Sequence, residues 1–101
     1  MSERFNKQFS LKEAHLTARR IASEQGRHRE ENGLRTALCH VITGMVNTGS
    51  AIREGAGGDT VRVDTKELAK VISRLKEEKA KKQDFTDLLY LVFLQIRSGL
   101  K

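Results

Sequence analysis

The side chains best suited to metal binding or nucleophilic chemistry in this chain are three histidines and a single cysteine. They are His15, His28, His40 and Cys39. The histidines share no spacing that would let two of them chelate one metal ion. Cys39 and His40 are adjacent, so on a helix they point in different directions. The pattern therefore predicts no metal centre, and it favours a structural role for Cys39 as a small residue on a helix face.

A glycine-rich segment, Gly55-Ala-Gly-Gly58, invites comparison with phosphate-binding loops. A P-loop requires Lys followed by Ser or Thr, because the lysine contacts the phosphates and the hydroxyl contacts magnesium. This segment is followed by neither residue. We therefore expect no enzymatic activity, no metal and no cofactor.

Charge is the clearest global property of the sequence. Its 101 residues contain 19 Lys and Arg against 13 Asp and Glu, a formal net charge of +6. This excess favours an anionic partner, either nucleic acid or an acidic protein surface. A single cysteine permits no internal disulfide and favours a reducing, cytoplasmic setting. The longest apolar run, Leu88 to Leu94, is far shorter than the roughly 20 residues that span a bilayer, so we expect no membrane partner.

The first half of the chain predicts one strand and two helices. Phe5 and Phe9 fall on one face of a candidate strand over residues 4–10. Ser10 and Glu13 fit a capping box, from which a helix should begin at Leu11. A second helix is predicted from about residue 33 to residue 46 by an uninterrupted apolar pattern at helical spacing. Residues 47–58 are interpreted as a helix end and a Gly-rich linker, in which 51–54 could continue the helix.

The second half repeats this order. Val61 and Val63 share one face of a short strand, and Asp64 caps a charged helix that runs to about residue 82. Asp84 and Asp87 mark the start of a last helix that is apolar nearly all round. Residues 88–94 also fit a buried strand, because they include β-branched and aromatic side chains. The apolar pattern that continues to residue 96 favours the helix.

The two halves align without a gap. An offset of 54 residues aligns residues 5–46 with 59–100. It aligns Ser10 with Asp64, which are the predicted N-caps of the first helix in each half. A register held across a strand, a cap and two helices predicts an internal duplication. We therefore expect a single compact domain, residues 1–101, in which linker 47–58 joins two strand-helix-helix units packed as a pseudo-dimer. The predicted fold class is mostly α, with four main helices and at most a short two-stranded ribbon.

A strand, a helix and a buried helix, with polar side chains projecting from the strand, resemble the ribbon-helix-helix family of DNA-binding proteins. Here both copies would lie in tandem in one chain. The resemblance implies a small basic DNA-binding protein, a transcriptional regulator or DNA-processing accessory factor, which reads the major groove with strand side chains. It implies base contacts from the strands and phosphate contacts near the helix–helix turns. The implied DNA-binding residues are Arg4, Asn6, Gln8, Thr60, Arg62, Arg27, Arg29, Lys81 and Lys82.

Other interpretations of these features stay open. The strand residues also suit a solvated edge strand, and the basic turns suit ordinary helix ends, where Lys and Arg complement the helix dipole. A helical adaptor or inhibitor that binds protein instead of nucleic acid is the main alternative. Its docking surface, which could also form a homo-oligomer, would be Leu89, Tyr90, Phe93 and Leu94.

A second resemblance implies a third function. The segment from Asn32 to Cys39, the Gly-rich break and the C-terminal stretch from Arg97 to Gly99 are similar to the small basic subunit of DNA phosphorothioation systems. This likeness implies a non-enzymatic subunit of a DNA sulfur-modification complex that binds nicked DNA.

Overall fold

The computed structural model describes residues 4–79 and 85–100, which form a layer of helices on one side of a small sheet. Two short 3-10 turns, His28–Glu30 and Ala56–Gly58, interrupt the connections. The strands and helices in chain order are β1 (Lys7–Ser10), α1 (Leu11–Glu24), α2 (Glu31–Asn47), β2 (Ala51–Glu54), β3 (Thr60–Val63), α3 (Thr65–Glu78) and α4 (Thr86–Ser98).

The three strands form one antiparallel sheet in the order β1-β3-β2. Gln8 on β1 pairs with Arg62 on β3, and Arg62 pairs on its other side with Ile52 on β2. Because side chains alternate along a strand, one side of the sheet carries buried residues and the other faces solvent. The buried residues on the first side are Phe9, Ala51, Val61 and Val63.

The predicted pseudo-dimer with at most a two-stranded ribbon is wrong, because residues 51–54 form a third strand. After α2 the chain turns at Gly49, whose φ of +78° favours glycine. The amide of Ser50 then donates to the carbonyl of Met45, and the carbonyl of Ser50 accepts from the amide of Asp64. These contacts place the next residues along the free edge of β3. A four-residue strand held by a partner on another part of the chain is not visible in its local pattern.

Two of the predicted helix caps, Ser10 and Asp64, are confirmed. The hydroxyl of Ser10 accepts from the amides of Lys12 and Glu13, at 3.2 and 3.4 Å, and α1 begins at Leu11. The carboxylate of Asp64 accepts from the amide of Lys66 at 3.0 Å, and α3 begins at the following residue. Both starts agree with the sequence prediction because a cap is a local signal.

Two helix boundaries differ from the prediction by two residues or more. Helix α2 begins two residues earlier, at Glu31, and α3 ends at Glu78, four residues before the predicted end. The predicted cap Asp84 lies outside the described residues. The last apolar segment is a helix, α4, and not the alternative strand.

Helix α4 lies at the centre of the helical layer and packs against both α1 and α3. Its side chains Leu88, Val92 and Phe93 are completely or almost completely buried. At its start, the ring of Phe85 packs on Gly33 of α2, where an added Cβ would lie only 2.3 Å from Phe85 Cζ. The four helices therefore cover the buried side of the sheet around one core.

Candidate nucleic-acid interface

The solvent side of the sheet, here called the open sheet face, brings together side chains from all three strands. Its six residues form two rows that cross the strands. One row contains Gln8, Arg62 and Ile52, and the next contains Ser10, Thr60 and Glu54. Because neighbouring strands lie about 4.8 Å apart, the outer strands are separated by roughly 10 Å. Three of the predicted DNA-binding residues, Gln8, Thr60 and Arg62, thus share one surface.

Arg62 occupies the central strand of this face and is held by two acceptors. Its Nε donates to the carboxylate of Glu54 on β2, and its Nη1 donates to the carbonyl of Phe5 at 3.4 Å. The Arg62 and Glu54 side chains remain 42% and 40% exposed. A guanidinium has five N–H donors. Three of them, on Nη1 and Nη2, have no acceptor within the described part of the chain.

Two lysines lie at opposite ends of the sheet. Lys12 and Lys66 each follow a strand by two or three residues, in the first turns of α1 and α3. The strands before these helices are antiparallel, so the two helix starts lie at opposite ends. Both lysines are exposed, and neither forms an ion pair with another described residue. Each is therefore able to bind an anion near its own end of the sheet.

Arg4 neutralises an acidic residue at the α3 end of the sheet. Its Nε donates to Asp64 at 2.8 Å, and its guanidinium stacks 5.3 Å from the centroid of the Phe5 ring. The hydrogen bond from Arg4 holds the pKa of the Asp64 carboxyl below its usual value. Asn6, which directly precedes β1, is exposed.

Arg27 lies elsewhere and has a structural role in the fold. It forms ion pairs with Glu30 and with Asp87 at the start of α4, and its side chain is only 24% exposed. The hydrogen bond to Glu30 raises the pKa of the Arg27 guanidinium. Helix α1 separates this site from the sheet by 14 residues, or roughly 21 Å. The structure therefore does not bring Arg27 together with the strand residues.

The other predicted phosphate contacts divide into two groups. Arg29, in the turn after α1, is exposed and forms no ion pair with any residue that the structure describes. It lies at the same far end of α1 as Arg27. Lys81 and Lys82 lie outside the described residues.

A contact between Cys39 and His15 was not predicted. Cys39 Sγ on α2 lies 3.4 Å from His15 Nε2 on α1, although the residues are 24 positions apart in the chain. Burial, and to a lesser extent the positive charge of Arg35, lower the pKa of His15. The neutral imidazole can therefore accept the cysteine S–H. Residues 4–79 and 85–100 contain no group of three or more potential metal ligands, so the contact does not extend to a metal site.

A groove of about 1050 Å³ runs between α2 and α3. Its floor includes the apolar side chains Val41, Met45, Val71 and Leu75. Its rim carries three cations and three carboxylates: Arg4, Lys70, Arg74, Glu67, Glu77 and Glu78. Because these charges balance, the groove offers no excess of positive charge to a polyanion.

The predicted protein-docking surface lies partly inside the core. Leu89 is 6% exposed and Phe93 is fully buried. Tyr90 and Leu94 are half-buried, and the Lys79 ammonium lies 4.3 Å from the centroid of the Tyr90 ring. An oligomer formed through this surface stays a prediction, and only its half-buried pair would be accessible to a partner.

Comparison with known proteins finds no family model, no curated protein and no solved structure that matches this chain. None of the helices within 4–79 and 85–100 is long and apolar enough to cross a membrane. A functional proposal must therefore rest on the residues of the open sheet face and on the charges around it.

Proposed function

We propose that this protein is a small DNA-binding protein, a transcriptional regulator or DNA-processing accessory factor, which contacts the major groove with its open sheet face. The observation that carries the proposal is the direct pairing of Gln8 with Arg62 on the solvent side of the sheet. An amide side chain can pair with the N6 and N7 atoms of adenine, and a guanidinium with the O6 and N7 atoms of guanine. The two neighbours together offer both kinds of base contact.

Measured to the outer edges of its strands, the sheet is at least as wide as the major groove, so only its central strand could enter deeply. The major groove of B-DNA is about 12 Å wide. The outer strands of the sheet lie roughly 10 Å apart, and a four-residue strand is roughly 13 Å long. The central strand, β3, would lie deepest in the groove, with β1 and β2 toward its two walls. Ile52 on β2 is 39% exposed and would offer an apolar contact to a thymine methyl group.

Charge around the face also supports DNA binding. Two carboxylates near it, Glu54 and Asp64, are each paired with an arginine. Lys12 and Lys66 at the two ends would then contact phosphates on either side of the groove. Most of the affinity would come from such phosphate contacts, and sequence preference would come from the strand side chains.

A salt titration tests the proposal. Fluorescence anisotropy would follow wild-type protein binding to labelled random-sequence duplex, to the same duplex with a nick, and to single-stranded DNA. We expect duplex binding whose logarithmic affinity falls linearly with the logarithm of salt concentration. A marked preference for the nicked duplex would favour the DNA-processing role over the regulatory one. Absence of duplex binding at low salt would overturn the proposal.

A further inference from the structure

Arg62 lies in the middle of the open sheet face and is anchored by a residue of the third strand. Its Nε donates to Glu54, while its Nη1 donates to the Phe5 carbonyl. We infer that Glu54 is a positioning residue, which holds the Arg62 guanidinium in the orientation that reads guanine. This inference rests on the proposed DNA binding and assigns to Glu54 a part in sequence recognition.

The register of the sheet explains why this pair forms. Ile52 is the direct partner of Arg62, and Glu54 pairs with Thr60. Glu54 is therefore the diagonal neighbour of Arg62 on the same face. Diagonal neighbours on adjacent strands are within reach of each other when both side chains are long. Strand β2 thus supplies the anchor, although it contributes no basic residue to this face.

The N–H donors of Arg62 divide between its two partners in the protein and the DNA major groove. Glu54 occupies Nε, and the Phe5 carbonyl occupies one N–H of Nη1. One N–H of Nη1 and both of Nη2 are left without an acceptor among the described residues. One donor from each terminal nitrogen forms the planar fork that matches the O6 and N7 atoms of guanine. The two anchors therefore leave at least one N–H on each terminal nitrogen available to a base.

Anchoring should improve recognition because a free arginine samples many rotamers and loses that freedom when it binds. The Glu54 carboxylate has a second, opposite effect, since a negative charge on this face weakens attraction to phosphates. Removal of the carboxylate should therefore lower guanine preference while binding to random DNA is kept or strengthened. A purely structural ion pair would not produce these opposite changes.

The experiment compares Glu54→Gln with a matched control, Asp59→Asn. Glu54→Gln removes the carboxylate at the end of β2, and Asp59→Asn removes one just before β3, where Asp59 forms no ion pair with any described residue. The probe is a duplex selected from a random library by the wild-type protein. It contains a guanine whose replacement by 7-deazaguanine weakens binding of the wild type but not of Arg62→Ala. This guanine analogue lacks the N7 acceptor and leaves the base pair intact.

We expect Glu54→Gln to reduce discrimination between guanine and 7-deazaguanine by about tenfold, the size of the single charge-assisted hydrogen bond to N7. Its affinity for random duplex should be equal to or above that of the wild type. Asp59→Asn should keep the full discrimination. Glu54→Ala serves as a second variant, and thermal unfolding of each protein establishes that it is folded.

The outcomes separate this inference from the function on which it rests. If folded Glu54→Gln and Glu54→Ala discriminate as the wild type does, the positioning role is overturned while DNA binding stands. The same holds if no selected duplex contains a guanine that depends on Arg62. If the wild type binds no duplex at low salt, the proposed function itself fails.

Discussion

Gln8 on β1 is the direct antiparallel partner of Arg62 on β3. Their separation in the chain is 54 residues, which is also the offset that aligns the two halves of the sequence. The pair joins an amide on one strand to a guanidinium on the next. Because the two side chains differ, we expect the open sheet face to prefer an asymmetric DNA site.

Arg62→Ala and Gln8→Ala should relax sequence preference more than they weaken binding to random duplex. Each good bidentate contact contributes about 1–3 kcal/mol of discrimination against the wrong base. Competition between a selected duplex and random duplex, measured by anisotropy, provides the ratio. Arg97→Ala is the control, because it removes an exposed arginine on α4. If Arg62→Ala keeps the wild-type ratio, Arg62 does not read bases.

Replacement of both Lys12 and Lys66 by Gln should weaken binding to all duplexes to a similar degree. The slope of log affinity against log salt should decrease in magnitude by about 0.9 for each phosphate that is no longer neutralised. The matched control replaces Lys76 and Arg29 by Gln, which removes the same charge near the ends of α3 and α1 that point away from the sheet. Equal effects from the two double variants would show that only net charge matters.

Arg27→Ala should destabilise the fold and leave DNA binding by the folded protein unchanged. The substitution separates the α1–α2 connection from the start of α4, since the Asp87 carboxylate no longer has its partner. One Asp87 oxygen, Oδ1, is already buried without a hydrogen bond within the described residues. We expect a decrease of about 1–2 kcal/mol in the free energy of unfolding for this partly buried pair. Exposed Arg29→Ala, the control, should change stability by less than about 0.5 kcal/mol.

Gly33→Ala and Gly44→Ala, in the same helix, should have opposite effects on stability. A Cβ at Gly33 would lie 2.3 Å from the ring of Phe85, whereas a Cβ at Gly44 would meet no atom within 4 Å. We expect Gly33→Ala to lower the free energy of unfolding by about 1–3 kcal/mol through overpacking. Gly44→Ala should raise it by about 0.5–1 kcal/mol through helix propensity. Urea denaturation measures both, and equal shifts would contradict the packing of Phe85 on α2.

Asp64 should contribute to the acid sensitivity of the fold. The hydrogen bond from Arg4 lowers the pKa of Asp64 in the folded protein from an ordinary value of 3.8. The stabilisation is therefore fully present above this ordinary value and is lost as the pH falls through the lower, folded value. Asp64→Asn, which keeps an amide oxygen as the helix cap, should flatten the decline of stability below about pH 4. An unchanged acid unfolding curve would contradict the contribution of the Arg4 pair.

The signals that predict this fold correctly from the sequence are local ones. Ser10 and Asp64 mark helix starts through contacts with their own neighbours, and the alternation of Val61 and Val63 marks β3. Strand β2 could not be predicted in this way. Its residues pair with β3 across the sheet, and their local pattern also fits a continued helix.

The features of the candidate site that the sequence did not predict also depend on contacts between residues distant in the chain. The anchor of Arg62 by Glu54 depends on β2, so it could not be recognised before the third strand was known. The contact between Cys39 and His15 depends on how α1 packs against α2, which no spacing in the sequence encodes. The ion pair between Arg27 and Asp87 was not anticipated either, because the two residues are 60 positions apart in the chain.

Amide chemical-shift mapping by NMR tests the location of the DNA interface most directly. Wild-type, ¹⁵N-labelled protein would be titrated with a short duplex at low salt. Binding through the open sheet face predicts the largest shift changes in β1, β2 and β3, centred on Gln8, Arg62 and Ile52, with further changes at Lys12 and Lys66. Largest changes along the α2–α3 groove, or none in the three strands at saturation, would contradict an interface on the open sheet face.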